Sequence, residues 1–197
     1  MGRKKPTAPL AMWTKYRNFA AMRFYITPDF HISTDLLQLT LTVKPGLTAA
    51  QLNAHPGEAH IALPEGLNFE QAAVQEWLNR VVVEALRKQC HWLLTPRIHH
   101  LAQQGGLSFG RITYKDVRSR WGSCSSLRNL NFSVWLLLAP ARWVDYVVAH
   151  ELAHLSHLNH SPRFWAEADR LLGAPGLARC LDREMNAFAR SLRGRLR

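Results

Sequence analysis

The tightest constraint on this chain is the run His150-Glu151-Leu152-Ala153-His154, with His160 six residues further on. Two histidines four positions apart meet only if the backbone is helical, because a turn of α-helix stacks residues i and i+4 on one face. The neighbouring residues agree. Val144, Val147, Val148, Leu152 and Leu155 recur at helical spacing and give the segment one apolar face. A helix here points two imidazoles the same way, close enough to share one metal ion. The Glu151 carboxylate then sits beside that ion and not on it. This H-E-x-x-H spacing suits a Zn²⁺ site in which the glutamate acts as general base. A catalytic zinc takes three protein ligands and keeps one position for water. His160 is the natural third ligand. It lies too far along to share the helical stripe, so the helix is expected to end after Leu158, with Asn159 in the left-handed conformation that closes helices. Ser161-Pro162 then reads as the N-cap and first residue of another helix. The competing reading is a histidine-rich helix whose rings are solvated or satisfied in the core.

The rest of the chain supplies strands and helices in series. Residues 1–20 are basic, hold Pro6 and Pro9, and read as a flexible arm. Leu37, Leu39, Leu41 and Val43 alternate with threonines as in a half-buried strand, and Lys44-Pro45-Gly46 is a turn. His60 to Leu63 is a second strand stopped by Pro64, so residues 21–66 are expected to form a small antiparallel sheet. A long helix should start at Asn68 or Phe69 and reach about Gln104, kinked or split at Pro96. Residues 109–118 and 129–138 read as strands on either side of a compact polar loop around Trp121. After the histidine helix come one from Pro162 to Gly173 and one from Leu177 to Leu192, with a frayed basic tail. Residues 67–197 are thus a helical, catalytic region that forms one compact body with 21–66.

Composition narrows the partners. A chain of 197 residues that is 47% hydrophobic and 20% charged is globular, not disordered. Its formal charge of +11 favours anionic partners, nucleic acid first, although the charge is scattered along the chain. Cys90, Cys124 and Cys180 form no C-x-x-C pair, which argues against a disulfide framework or a cysteine zinc site and suits reduced thiols in the cytoplasm. No apolar run approaches a signal sequence or a membrane span. The sequence does not fix an oligomeric state. Two functions fit: a zinc peptidase acting on protein or peptide, or a basic nucleic-acid-associated protein with a structural or vestigial zinc site. Glu151 favours the first, since a structural zinc has no use for a base beside it.

Further candidates surround the motif. Arg120, Trp121 and Asn131 belong to a Gly- and Ser-rich stretch whose backbone N–H groups could meet a substrate or a developing oxyanion. Trp121 and Cys124 could equally just pack that loop under the sheet. Asp145 and Tyr146, five and four residues before His150, could accept a hydrogen bond from a ligand imidazole. His157 reads as a helix-end residue, because a fourth protein ligand would close the site to water.

Two separated stretches resemble one family. Ser119-Arg120-Trp121-Gly122-Ser123-Cys124-Ser125, a strand ending in Leu138-Ala139-Pro140, and the histidine motif with Asn159-His160-Ser161 and Phe164-Trp165 are similar to the YgjP-like zinc metallopeptidases, relatives of the SprT-like proteases. The resemblance covers about residues 60–190; residues 1–60 carry a longer, variable segment in place of the family's compact basic β-region. It implies an α+β zincin fold, with a small antiparallel or mixed sheet packed on helices. It also implies His150, His154 and His160 as zinc ligands and Glu151 as catalytic acid/base. SprT-like relatives cleave proteins crosslinked to DNA, which makes DNA-bound protein one implied substrate. The metzincins share the third-histidine spacing but hold a glycine where His157 stands here. A glutamate from a later helix, Glu167 or Glu184, remains the alternative third ligand.

Overall fold

The computed structural model describes residues 24–194, with side chains through Phe188; the arm expected over 1–20, and Arg195 and Arg197 of the tail, lie outside the described residues. Strands β1 (His31–Ser33), β2 (Gln38–Lys44), β3 (Gln51–His55) and β4 (Glu58–Pro64) form one sheet in the order β1-β2-β4-β3. The alternation in β2 buries Leu39 and Leu41 and turns Thr40 and Thr42 outward, where each hydroxyl lies 3.0 Å from a ring nitrogen of His60. The sheet is mixed and not purely antiparallel, because β4 lies parallel to β2. The reason is β3, which the sequence reading passed over. It pairs antiparallel with β4 across Pro56-Gly57, and that hairpin returns β4 beside β2 in the same direction. Proline followed by a glycine at φ 84° is the pattern of a type II turn.

Helix α1 (Ala72–Gly105) backs this sheet. It runs unbroken through Pro96 instead of splitting there. Leu94 and Ile98, on either side of the proline, are fully buried, so packing carries the helix across its missing hydrogen bond. Amide side chains bind α1 to the segment before β1 and to the β3–β4 hairpin. Asn79 pairs with both backbone groups of Phe24 at 2.9 and 2.8 Å, and Gln75 does the same for Ile26 at 2.8 and 2.7 Å. Gln89, fully buried, accepts from Gly57 N–H and donates to the carbonyls of His55 and Glu58. Every polar group of these amides that is buried thus meets a backbone partner, as burial requires.

A second sheet is built from β5 (Ile112–Lys115), β6 (Gly122–Cys124) and β7 (Leu130–Ser133) in the order β5-β7-β6. The polar loop around Trp121 therefore contains an edge strand, β6, antiparallel to β7. The strand expected over 129–138 stops at Ser133. There the Ser133 hydroxyl accepts the Trp135 N–H and starts a 3₁₀ turn, Val134–Leu138, whose five side chains are all buried. Five successive apolar residues need burial on every side, which a strand with one wet face does not give.

Three helices complete the chain: α2 (Ala141–Ala153), α3 (Pro162–Leu172) and α4 (Leu177–Gly194). Helix α2 packs against α1, β6, α3 and α4. It ends at Ala153, five residues earlier than the sequence suggests. His154 caps it with φ −66°, and among the described non-glycine residues the positive φ belongs to Arg128, not to Asn159. Ser161 accepts the Phe164 N–H and Pro162 opens α3, as its cap pattern requires. No described helix is long and apolar enough to cross a membrane.

Candidate metal centre

His150 and His154 close α2, and the turn after it brings His160 back over them. The three side chains converge, with their Nε2 atoms 3.2 Å apart for His150 and His154 and 3.1 Å apart for His150 and His160. Phe164, with no exposed surface, floors the cluster, its ring centroid 4.6 to 4.9 Å from all three imidazoles. The Trp165 indole N–H donates to the His160 carbonyl at 3.1 Å and holds the returning loop.

Which nitrogens carry protons follows from the partners. Tyr146, one turn before His150, donates its hydroxyl proton to Asp182 Oδ1 on α4 at 2.8 Å. The Tyr146 hydroxyl oxygen lies 3.0 Å from His150 Nδ1, so it accepts there and His150 carries its proton on Nδ1. His154 Nδ1 lies 3.0 Å from the His157 carbonyl, which can only accept, so His154 too is protonated on Nδ1. Burial pushes the His150 pKa down to about 3 and lowers that of His154, so both rings are neutral. Their bare Nε2 lone pairs then face each other at hydrogen-bond distance with no proton between them. Such an arrangement is repulsive unless a cation lies at the focus. Imidazoles on one tetrahedral Zn²⁺, with Zn–N of ~2.0–2.1 Å, have nitrogens about 3.3 Å apart. The donor set fits such an ion, and among the described residues the three histidines form the group able to hold one.

Glu151 lies beside this focus and is only 6% exposed. Burial pushes its carboxyl up to about 8; a hydrogen bond from the Cys124 backbone and the positive charge of Arg120 oppose that rise. The carboxylate fits because residue 122 is glycine. A Cβ there would lie 2.7 Å from both Cγ and Oε1 of Glu151.

The other candidates separate clearly. Tyr146 reaches His150. Arg120 is exposed and acts on Glu151 through its charge. Trp121 is half-buried against the core, and its carbonyl accepts from Ser133 N–H at 2.8 Å. Asp145 turns away from the histidines to pair with Arg97 on α1. Glu167 pairs with Arg170, and Glu184 takes Arg142 at 3.0 Å and the Trp143 indole at 3.3 Å, so neither joins the cluster as third ligand. His157 contributes only a backbone carbonyl. Asp182 escaped the sequence reading, since it lies 36 residues from Tyr146 and no spacing rule links the two. The role of Gly122 had a signal: a glycine inside a strand often marks a close approach.

Residues 41–179 match the family described as YgjP-like, metallopeptidase domain. The chain belongs to the YgjP-like metallopeptidases. It is thereby an enzyme that hydrolyses peptide bonds. The YgjP-like match runs from the middle of β2 through the first residues of α4, and so begins earlier than the resemblance from about residue 60 implies. It stops short of Asp182. A solved structure, the crystal structure of the metallopeptidase zymogen of Pyrococcus abyssi abylysin, is similar over 48% of this chain and 94% of its own, at 22% identity and a TM-score of 0.42. Comparison with the curated proteins finds no match.

Proposed function

We propose that this chain is a zinc-dependent peptidase in which His150, His154 and His160 hold the ion and Glu151 is the general base. The observation that carries the reading is the convergence of three Nε2 atoms, two of them deprotonated by their own hydrogen bonds, next to a buried carboxylate. When bound, Zn²⁺ supplies Lewis-acid polarisation of the scissile carbonyl and makes a coordinated water more acidic. Glu151 takes the proton of the attacking water and returns it to the departing amine. Its raised proton affinity suits a group that must bind and release a proton near neutrality.

The substrate backbone has a place to bind. Flanking β6, Trp121 C=O accepts from Ser133 N–H of β7 and Ser125 N–H donates to the Asn129 carbonyl just before β7, so alternation turns the backbone groups of Gly122 and Cys124 toward the open edge. Cys124 N–H meets Glu151. The remaining groups would take an extended peptide as an added strand, along the rim of the metal centre. Protein or peptide is therefore the substrate class. Elemental analysis should find one zinc per chain, and casein cleavage should stop with chelator and return with Zn²⁺. Cleavage indifferent to chelator would remove this reading.

Two substitutions probe the surroundings. Tyr146→Phe takes away the acceptor that keeps the His150 proton on Nδ1. Zinc affinity, read by competition with a chelating dye, should fall roughly 10- to 100-fold, the usual cost of losing a partner that orients a ligand. Gly122→Ala should displace the Glu151 carboxylate. Zinc should stay bound while kcat falls roughly 10²-fold, as expected of a reacting group moved by about 1 Å. An alanine variant with wild-type kcat would show that the carboxylate has room the structure denies it.

A further inference from the structure

The outer face of the second sheet holds a pocket of about 150 Å³ that adjoins the Glu151 slot through Gly122 and Arg120. Lys115, Arg120, Ser123 and Asn131 line it, and no carboxylate does. Neither Lys115 nor Arg120 takes part in a salt bridge among the described residues. The nearest acid in sequence, Asp116, is engaged by the Trp135 indole at 2.6 Å and by Arg118 at 3.6 Å. The Asn131 amide, 3.5 Å from the Ser123 hydroxyl, adds neutral donors to the two cations. Lys115, with no salt bridge among the described residues, and Arg120, whose charge also acts on Glu151, stand with amide and hydroxyl donors in one concavity and form a receptor for a carboxylate.

Its place in the fold says whose carboxylate. Along a strand, side chains alternate between the two faces of the sheet. A side chain at 122 would point inward onto Glu151, so Gly122 borders the pocket with backbone alone, while its neighbour Ser123 faces outward into it. A peptide added to the β6 edge keeps the same alternation, so its residue opposite Ser123 projects onto the outer face, and a side chain as long as glutamate reaches across Ser123 into the pocket that Lys115 enters from β5, at the far side of the sheet. We propose that this pocket is a specificity subsite that selects an aspartate or glutamate side chain of the substrate close to the cleaved bond. The inference rests on the reading of β6 as the substrate-binding edge. A chain of net charge +11 also attracts acidic segments from a distance.

The test uses peptide pairs identical except for Glu or Gln, with that residue moved stepwise past the cleaved bond. At one position wild-type protein should cut the Glu peptide with a kcat/KM about tenfold higher. Lys115→Met should bring that ratio below about twofold, and Lys115→Glu should invert it. Binding of the same peptides to Glu151→Gln protein, read by fluorescence anisotropy, should show the same preference and the same loss. A ratio near one at every position, or a preference that survives Lys115→Glu, overturns the subsite. Lys115-dependent binding of Glu peptides by a wild-type protein that cuts nothing would keep the subsite and sink the peptidase reading. Lys115-dependent binding of single-stranded DNA, with Glu and Gln peptides bound alike, would give the pocket to phosphate and overturn the proposal.

Discussion

Glu151→Gln is expected to keep its zinc and to lose roughly 10²- to 10⁴-fold in kcat, the range a positioned general base supplies. The amide has the volume of the carboxyl and fills the same slot over Gly122, so the histidines keep their geometry. What it cannot do is take a proton from water. A second readout separates loss of chemistry from loss of fold. In metal-free wild type, burial raises the Glu151 pKa from its ordinary 4.5 to about 8. A carboxyl whose folded pKa is raised supports the fold fully below its unfolded pKa. That support is lost as pH climbs from about 4.5 through about 8. The glutamine variant has no such loss. With chelator present, its melting temperature should match wild type near pH 4 and exceed it by roughly 5 °C at pH 9. Wild-type turnover by the variant would remove Glu151 from the reaction. Equal melting temperatures across the whole range would show a carboxyl far better solvated than the structure indicates.

How much of this was legible in the sequence depends on whether the determining contacts are local. The α2 motif, the Ser161-Pro162 start of α3 and the alternation in β2 each follow from spacing within a few residues, and these elements appear where that spacing puts them. Failures occurred where tertiary packing overrode a local rule. Pro96 could have split the long helix in two, but buried Leu94 and Ile98 hold α1 together across it. The apolar run after Ser133 looked like a continuing strand, yet the middle of the core accommodates it as a tight helical turn. Asn159 carried the composition of a helix stop, but α2 had already ended at Ala153. Within the centre, Tyr146 was visible as a residue one turn from His150. Asp182, which decides the direction of the tyrosine's proton, was not, because only the docking of α4 against α2 brings it near. Asp145 shows the converse: its position suggested a partner for a ligand, and Arg97 on α1 claimed it.

Removing one imidazole should have the largest effect on the metal. His150→Ala is expected to weaken zinc binding by roughly 10²- to 10³-fold or more and to abolish cleavage with it, since two ligands remain where a catalytic zinc needs three. His150 is partly buried and bonded to Tyr146, so its loss also disturbs packing against Phe164. His160→Ala supplies the control. His160 is exposed and sits in a turn, so its removal should take the metal and spare the fold. The two variants together distinguish a lost ligand from a lost structure. The metal-free state gives the sharper comparison. There the bare Nε2 atoms of His150 and His154 face each other at 3.2 Å with or without His160, and the His160 ring is exposed. Chelated His160→Ala should therefore melt close to chelated wild type, while with zinc in excess it should melt below it. Binding to the native state alone stabilises wild type by mass action, and the variant lacks that gain. Full zinc content in His160→Ala would return the third-ligand role to another group. A zinc-dependent rise in melting temperature equal in the variant and the wild type would say the same.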